Sequence, residues 1–190
     1  MYQKYYTEAL ILRSRDSGEA DRIYTLYTKD FGLVVARASA VRSEHSRMRY
    51  ALQSYSRATV ALIKGRRGWR LAGAAALSRA EAVSQGLPTF VRIAELLLRL
   101  VTEQERNEYL FAVLAETHGA LLKGEHKTHA TIEIVCVARI LYALGYLSPE
   151  ALETALFAHT AYTGDHLHEA EVLREKLLAS INRAITEAQL

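Results

Sequence analysis

Cysteine is almost missing from this 190-residue chain, where Cys136 stands alone. No intrachain disulfide can form, and no cysteine-based zinc cluster is available. Long apolar runs are missing as well. The most apolar helical stretches are interrupted by Arg99, Arg106 or Arg139, so none has the length of a membrane span. Residues 1–6 are polar and aromatic and lack the apolar centre of a secretion signal. A cytoplasmic protein is the expectation. Catalytic signatures are absent too: no Gly-x-Ser-x-Gly elbow, no phosphate loop ending in Gly-Lys-Ser/Thr, and no Gly-x-Gly-x-x-Gly. This points away from an enzyme.

What is present is apolar mass and an uneven charge. Half the residues are hydrophobic, enough for a buried core. The net charge of +3 hides an asymmetry. Residues 1–79 hold 15 Lys and Arg against 6 Asp and Glu, a balance of +9; residues 80–190 hold 9 against 15, a balance of −6. Such a split suggests two units with different partners, and a small unit at this positive charge attracts polyanions.

The hydrophobic period changes where the charge does. Residues 7–14, 22–28, 33–40, 54–63 and 69–76 read as five short strands, rich in β-branched and aromatic residues. Lys29, Asp30, Phe31 and Gly32 form a turn, and residues 64–68 a hairpin loop. Five strands in under eighty residues predict a small closed barrel, either an OB-fold (the five-stranded oligonucleotide-binding barrel) or an SH3-like one. The later half is helical. Phe90, Ile93, Ala94, Leu97, Leu98 and Val101 form one buried stripe. Residues 109–122 continue the helical pattern. Residues 132–144 are apolar nearly all round, which predicts a central helix ended by Gly145 in a left-handed conformation. Ser148 and Pro149 read as an N-cap and first helical residue, and one last amphipathic helix is expected over about 169–188. The expected fold class is therefore α+β in two parts, with a domain boundary near 78–88: a barrel over 1–79 and an all-α domain over 80–190.

Arginines mark the candidate site. Arg37, Arg42, Arg47 and Arg49 lie in and after the third strand, interleaved with Ser39, Ser43 and Ser46. Guanidinium forks bind phosphate oxygens two at a time, and hydroxyls add donors. Lys64, Arg66, Arg67 and Arg70 surround Trp69 on the hairpin, offering charge for a backbone and a face for a base. Arg13 and Arg15 extend this surface. A nucleic acid is the expected partner, DNA and RNA being equally served by a basic barrel.

Other clusters are weaker. His126 and His129, and His159, Asp165, His166 and His168, match no zinc spacing and are taken as surface residues, so no metal is expected. Glu103, Glu105 and Glu108 read as solvated charges near helix ends. Asp16, Glu19 and Asp21 are a possible magnesium group for a nuclease, with loop acidity as the preferred explanation. Cys136 is expected buried and inert.

The segment EALILRSRDSGEADRIYTLYTKDFG, residues 8–32, resembles the opening of the bacterial recombination mediators of the RecO family. The shared features are the apolar strand ending in Leu-Arg, the Gly18-Glu19-x-Asp21-Arg22 turn and the Thr28-x-x-x-Gly32 turn. The resemblance continues through Arg42, Arg47-Met48-Arg49, Leu52-Gln53, Lys64-Gly65-Arg66-x-Gly68 and Ala80-Glu81. Weaker similarity covers Ala94-Glu95-Leu96-Leu97, Glu108-Tyr109-Leu110 and the stretch from Glu133 to Leu144-Gly145-Tyr146. The resemblance implies an OB-fold followed by a helical domain, and no enzymatic activity. It implies binding to single-stranded and double-stranded DNA, annealing of complementary strands and help in loading a recombinase. It also implies a RecR-like partner, contact with single-strand-binding protein and a nucleoid-associated location. Ser54 replaces a usual proline, and the four-cysteine zinc motif of many members has no counterpart, so no cofactor is expected. The chain also ends several tens of residues before a typical member, which suggests a reduced helical domain. The alternative is an OB-fold protein-interaction module without strong DNA binding.

Overall fold

A computed structural model describes residues 3–78, 84–102, 105–148 and 154–187. The chain divides into two compact units. One comprises residues 1–82 with 101–108, the other residues 83–100 with 109–190.

The first unit is a closed barrel of five strands: β1 Lys4–Ser17, β2 Asp21–Thr28, β3 Gly32–Ala38, β4 Arg57–Gly65 and β5 Gly68–Ser78, with a one-turn helix, α1 Met48–Ala51, between β3 and β4. The strand order β1-β2-β3-β5-β4 closes because the long β1 pairs with β2 through its later half and with β4 through its earlier half. β3 and β5 pair in parallel, and the other ladders are antiparallel. This is the OB-fold arrangement, so the choice left open by strand count falls against the SH3-like barrel.

Alternation builds the barrel core. In β3 the inward residues Val34, Ala36 and Ala38 are buried, while Val35 and Arg37 point out. Ile11, Leu26, Val60, Leu62 and Leu71 complete the interior from the other strands. A bulge in β1 between Ile11 and Arg13 bends the strand so that it can serve two ladders. At the β2–β3 turn Gly32 has φ +60°, and a Cβ there would lie 2.1 Å from the Glu105 carbonyl oxygen. Only glycine fits both constraints.

β1, β2 and β5 run one to three residues beyond their expected limits, β3 stops two residues short of residue 40, β4 starts three residues after residue 54, and α1 is a helix that the strand pattern did not reveal. Its apolar residues explain it. Ala51 and Leu52 are buried, Met48 packs against the barrel core, and the i, i+3, i+4 spacing holds them on one side.

The second unit contains α2 Leu87–Leu100, α3 Glu108–Lys123, a 3₁₀ turn at His126–Thr128, α4 His129–Ala143, α5 Gly164–Val172 and α6 Arg174–Glu187. α4 packs against α2, α5 and α6, so the apolar segment does occupy the centre. Its core joins Val135, Ala138 and Leu141 to Leu156, Phe157, Leu177 and Ile181. Gly145, at φ +78°, ends the helix, with the Tyr146 amide donating back to the Leu141 carbonyl. The Arg92 fork on α2 meets the Glu133 carboxylate on α4 at 2.6 Å.

The single last helix expected over about 169–188 is instead two, separated at Leu173. The first begins earlier because Thr163 caps it, accepting from the His166 amide. Residue 188, Pro149 and the Ala80-Glu81 pair lie outside the described residues, as does Glu103. No described helix is long and apolar enough to cross a membrane.

His129 departs from its expected surface position. It is buried, with Nε2 3.3 Å from the Gly124 carbonyl oxygen. Cys136 is fully buried, and desolvation pushes its thiol up to about 11.

Candidate nucleic-acid interface

The barrel register aligns cations that lie far apart in sequence. Arg15 on β1 pairs with Ile23 on β2, Ile23 with Arg37 on β3, Arg37 with Arg70 on β5, and Arg70 with Ile63 on β4. All three arginines are exposed and both isoleucines half-buried. One outward row therefore crosses the strands and alternates charge with apolar surface. Strands sit about 4.8 Å apart, so its four steps follow about 19 Å of path round the curved outer surface of the closed barrel.

The β4–β5 hairpin closes beside this row. Gly65 pairs with Gly68, leaving Arg66 and Arg67 exposed at the tip of a two-residue turn. Gly68 takes φ +109°, which relieves its neighbours of any left-handed conformation. Arg37, Arg66, Arg67 and Arg70 line one open depression of about 580 Å³, together with Asp21 and Ser39.

Trp69 forms part of this depression but does not offer a free face, which corrects its expected role as a stacking platform. It is 7% exposed, with the Tyr5 and Phe31 rings 5.8 and 5.1 Å away between centroids. The reason is strand alternation: Arg70 points outward from β5, so its neighbour Trp69 points into the core, where a large ring gains most from burial. Lys64 lies over the ring, its Nζ 5.4 Å from the centroid.

The remaining arginines divide. Arg37 Nη2 is 2.6 Å from an Asp21 oxygen, and the other Asp21 oxygen accepts from the Ala40 amide at 2.8 Å. That amide first, and the guanidinium second, hold the Asp21 carboxyl below its ordinary value. Arg42 donates to the Gly18 carbonyl at 3.2 Å and lies 3.5 Å from Asp16, which also holds Arg22 at 2.8 Å. Arg42 thus ties the β3–α1 connection to the β1–β2 turn. Arg47, the N-cap, and Arg49 flank Met48 at the start of α1 and are not members of the cross-strand row. Arg13 lies on a neighbouring line with Thr25 and the exposed Val35. Arg13, Arg15, Arg47, Arg66, Arg67 and Arg70 have no ion pair among the described residues.

The same contacts bear on magnesium. Asp16 and Asp21 face arginines rather than one another, a poor setting for a divalent cation. Among the described residues no three His, Cys, Asp or Glu side chains converge on a metal position.

Sequence reasoning missed Tyr50. It is 49% exposed on α1, and the Arg49 guanidinium carbon lies 4.6 Å from its ring centroid. Its position just after Arg47 and Arg49 was visible in the sequence, but its exposure depends on α1.

Residues 1–80 match the family described as the recombination protein O N-terminal domain. The DNA repair protein RecO of Pelotomaculum thermopropionicum is 32% identical over 152 residues, covering 72% of this chain and 55% of that protein. The RecO of Roseiflexus is 33% identical over 157 residues, covering 80% and 53%. That of Bifidobacterium animalis is 45% identical over 62 residues, covering 33% and 26%. The chain spans about half the length of the first two relatives. Their names state a repair role and no catalytic activity.

Proposed function

The chain belongs to the RecO family, and on that premise we propose that it acts in DNA repair and recombination by binding single-stranded DNA across its barrel. The observation that carries the proposal is the row Arg15–Ile23–Arg37–Arg70–Ile63, continuous with Arg66 and Arg67. A backbone crossing the strands meets a guanidinium at intervals, and the intervening isoleucines offer apolar surface to bases. Arg42, Arg47 and Arg49 extend the basic surface onto the β3–α1 connection, and Arg13 and Lys64 flank it. Nucleic-acid binding is assigned to the barrel, expected over residues 1–79, within the unit formed by residues 1–82 and 101–108, and protein contacts to the helical unit.

The mechanism is electrostatic capture. Each neutralised phosphate releases counterions, and two strands held on one basic surface repel each other less, which favours annealing. Recombinase loading, double-stranded DNA as a second ligand, a RecR-like partner and single-strand-binding protein belong to the same proposal, as does a cytoplasmic, nucleoid-associated location. Family membership supports them, and the acidic helical domain is assigned to the protein partners.

The test is fluorescence anisotropy of labelled oligo(dT) across a salt series. Four unpaired arginines (Arg15, Arg66, Arg67 and Arg70) correspond to a slope of about −3 in log K against log salt, or about 50-fold weaker binding between 50 and 200 mM. Replacing Arg15, Arg37 and Arg70 together by alanine should weaken binding and flatten the slope. Replacing Arg42, Arg47 and Arg49 instead measures what the α1 side contributes. Salt-independent binding would refute electrostatic capture, and an unchanged slope in the first variant would refute the row.

One observation favours a second reading, a protein-interaction module. Arg37 and Arg42 are already ion-paired, which lowers the charge that DNA would meet. Negligible binding at low salt would select this reading.

A further inference from the structure

We propose that Tyr50 is the stacking platform for an unpaired base and gives the barrel its preference for single strands over duplex. The inference rests on the nucleic-acid reading of the barrel and assigns the aromatic component that Trp69 does not supply.

Single-strand binding needs charge for the backbone and an exposed aromatic face for a base. The cross-strand row supplies the first and no aromatic ring. The connection after β3 supplies both. It leaves the strand that carries Arg37 and turns sharply at Ala40, which has φ +51° and is held by Asp21. It then reaches α1, where Met48 and Ala51 face the barrel. That anchoring turns Arg49 and Tyr50 the other way.

Tyr50 is half exposed, which leaves ring surface for a ligand. Arg49 covers another part of the ring, its guanidinium carbon lying 4.6 Å from the centroid and its Nη2 donating to the Tyr50 hydroxyl. Two contacts from one guanidinium restrict the ring before a base arrives, which lowers the ordering cost on binding. Arg47, exposed and without an ion pair among the described residues, stands one turn back on the same connection, in reach of a flanking phosphate. A base within a duplex has both faces covered by its neighbours, so the platform discriminates by strand state. Every base has a π-face, so it does not discriminate by sequence.

Exposure alone does not single out an aromatic, as Tyr6 shows. It is 70% exposed on β1 but has no cation against its ring among the described contacts. Tyr6→Ala is therefore the control.

The experiment measures anisotropy of full-length protein with a labelled oligo(dT) and with a labelled duplex of equal length. Tyr50→Ala should weaken oligo(dT) binding by about 5- to 140-fold, the loss of one stacked base, with duplex binding within about twofold. Tyr50→Phe keeps the ring and should stay near wild type, and Tyr6→Ala should match wild type on both ligands. Circular dichroism checks that each variant is folded, and Tyr50→Leu, which keeps apolar bulk without a π-face and should show the same selective loss on oligo(dT), carries the test if the Ala variant is not. An unchanged ratio of single-strand to duplex affinity in Tyr50→Ala would overturn the proposal. A Phe variant as weak as the Ala variant would also overturn it, because the hydroxyl would then matter and not the face. If wild type binds neither ligand, the nucleic-acid reading fails first. If wild type binds and only the Tyr50 variants are silent, stacking alone fails.

Discussion

Replacing Arg139 with methionine should destabilise the helical unit by about 2–4 kcal/mol. Arg139 is fully buried in α4, and its guanidinium is shared among three backbone carbonyls of the segment that follows: Leu156 at 2.8 Å, Thr160 at 2.8 Å and Ala161 at 3.3 Å. It also lies over Tyr162, 4.9 Å from the ring centroid. Methionine keeps most of the stem and removes the charge. Hydrogen bonds from a charged donor are worth about 1.5–3 kcal/mol each, so their sum sets an upper limit. The desolvation cost of burying the guanidinium, several kcal/mol, disappears with it and offsets part of the loss. Water can reach the partly buried Thr160 and Ala161 carbonyls, but the Leu156 carbonyl is enclosed and stays orphaned, at about 1–3 kcal/mol. Arg139→Lys should recover less than half the loss, because an ammonium lacks the fork that spans three carbonyls. The assay is urea unfolding followed at 222 nm for the helices, with Trp69 fluorescence reporting separately on the barrel. A shift in the helical transition worth less than about 0.5 kcal/mol would refute the clamp, and so would full rescue by lysine.

Two further predictions concern the barrel. Asp21 is held below its ordinary 3.8 by the Ala40 amide and Arg37, so its contribution is present above that pH and lost as pH falls through the lower folded value. The stability gap between wild type and Asp21→Asn should therefore be constant near neutrality and close in acid. Thermal melts from pH 7 down to about pH 3 read this, and a gap that persists in acid would contradict it. Gly32→Ala should cost more than Gly18→Ala. Both glycines have positive φ, worth about 1–2 kcal/mol to a side chain, but only at Gly32 does a Cβ strike backbone. Equal melting points would refute the steric argument.

Much of the barrel was legible in the sequence because its signals are local. Alternation in residues 22–28 and 33–40, and glycines at the turns, are set within a few residues. The site was legible only in part. That Arg15, Arg37 and Arg70 share one row follows from pairing among β1, β2, β3 and β5, and no local pattern encodes a parallel β3–β5 ladder. The fate of Trp69 turned on one residue of register, since side chains alternate faces. Tyr50 stayed hidden because a single helical turn, α1, is too short to show a period. The early start of α5 escaped notice because its signal is the Thr163 cap, which lies upstream of the apolar spacing.

The charge of the first unit overstates what a polyanion meets, and the difference shapes how it can bind. Asp16 and Asp21 occupy Arg22, Arg42 and Arg37, and Glu8 occupies Arg57 at 2.5 Å. Exposed ion pairs contribute little to stability, so a phosphate can displace such a carboxylate at little cost. Arg15, Arg66, Arg67 and Arg70 gain a new partner outright, whereas Arg37 exchanges one anion for another. The exchange leaves the turn in place because the Ala40 amide bonds the Asp21 oxygen that Arg37 does not use, at 2.8 Å. The β3–α1 connection therefore keeps its turn while the guanidinium moves to a phosphate. Affinity should then rise in Asp21→Asn, where Arg37 is free beforehand and asparagine still accepts from Ala40. If that variant binds oligo(dT) no better than wild type, Arg37 does not reach the strand, and the row must be redrawn around Arg15 and Arg70 alone.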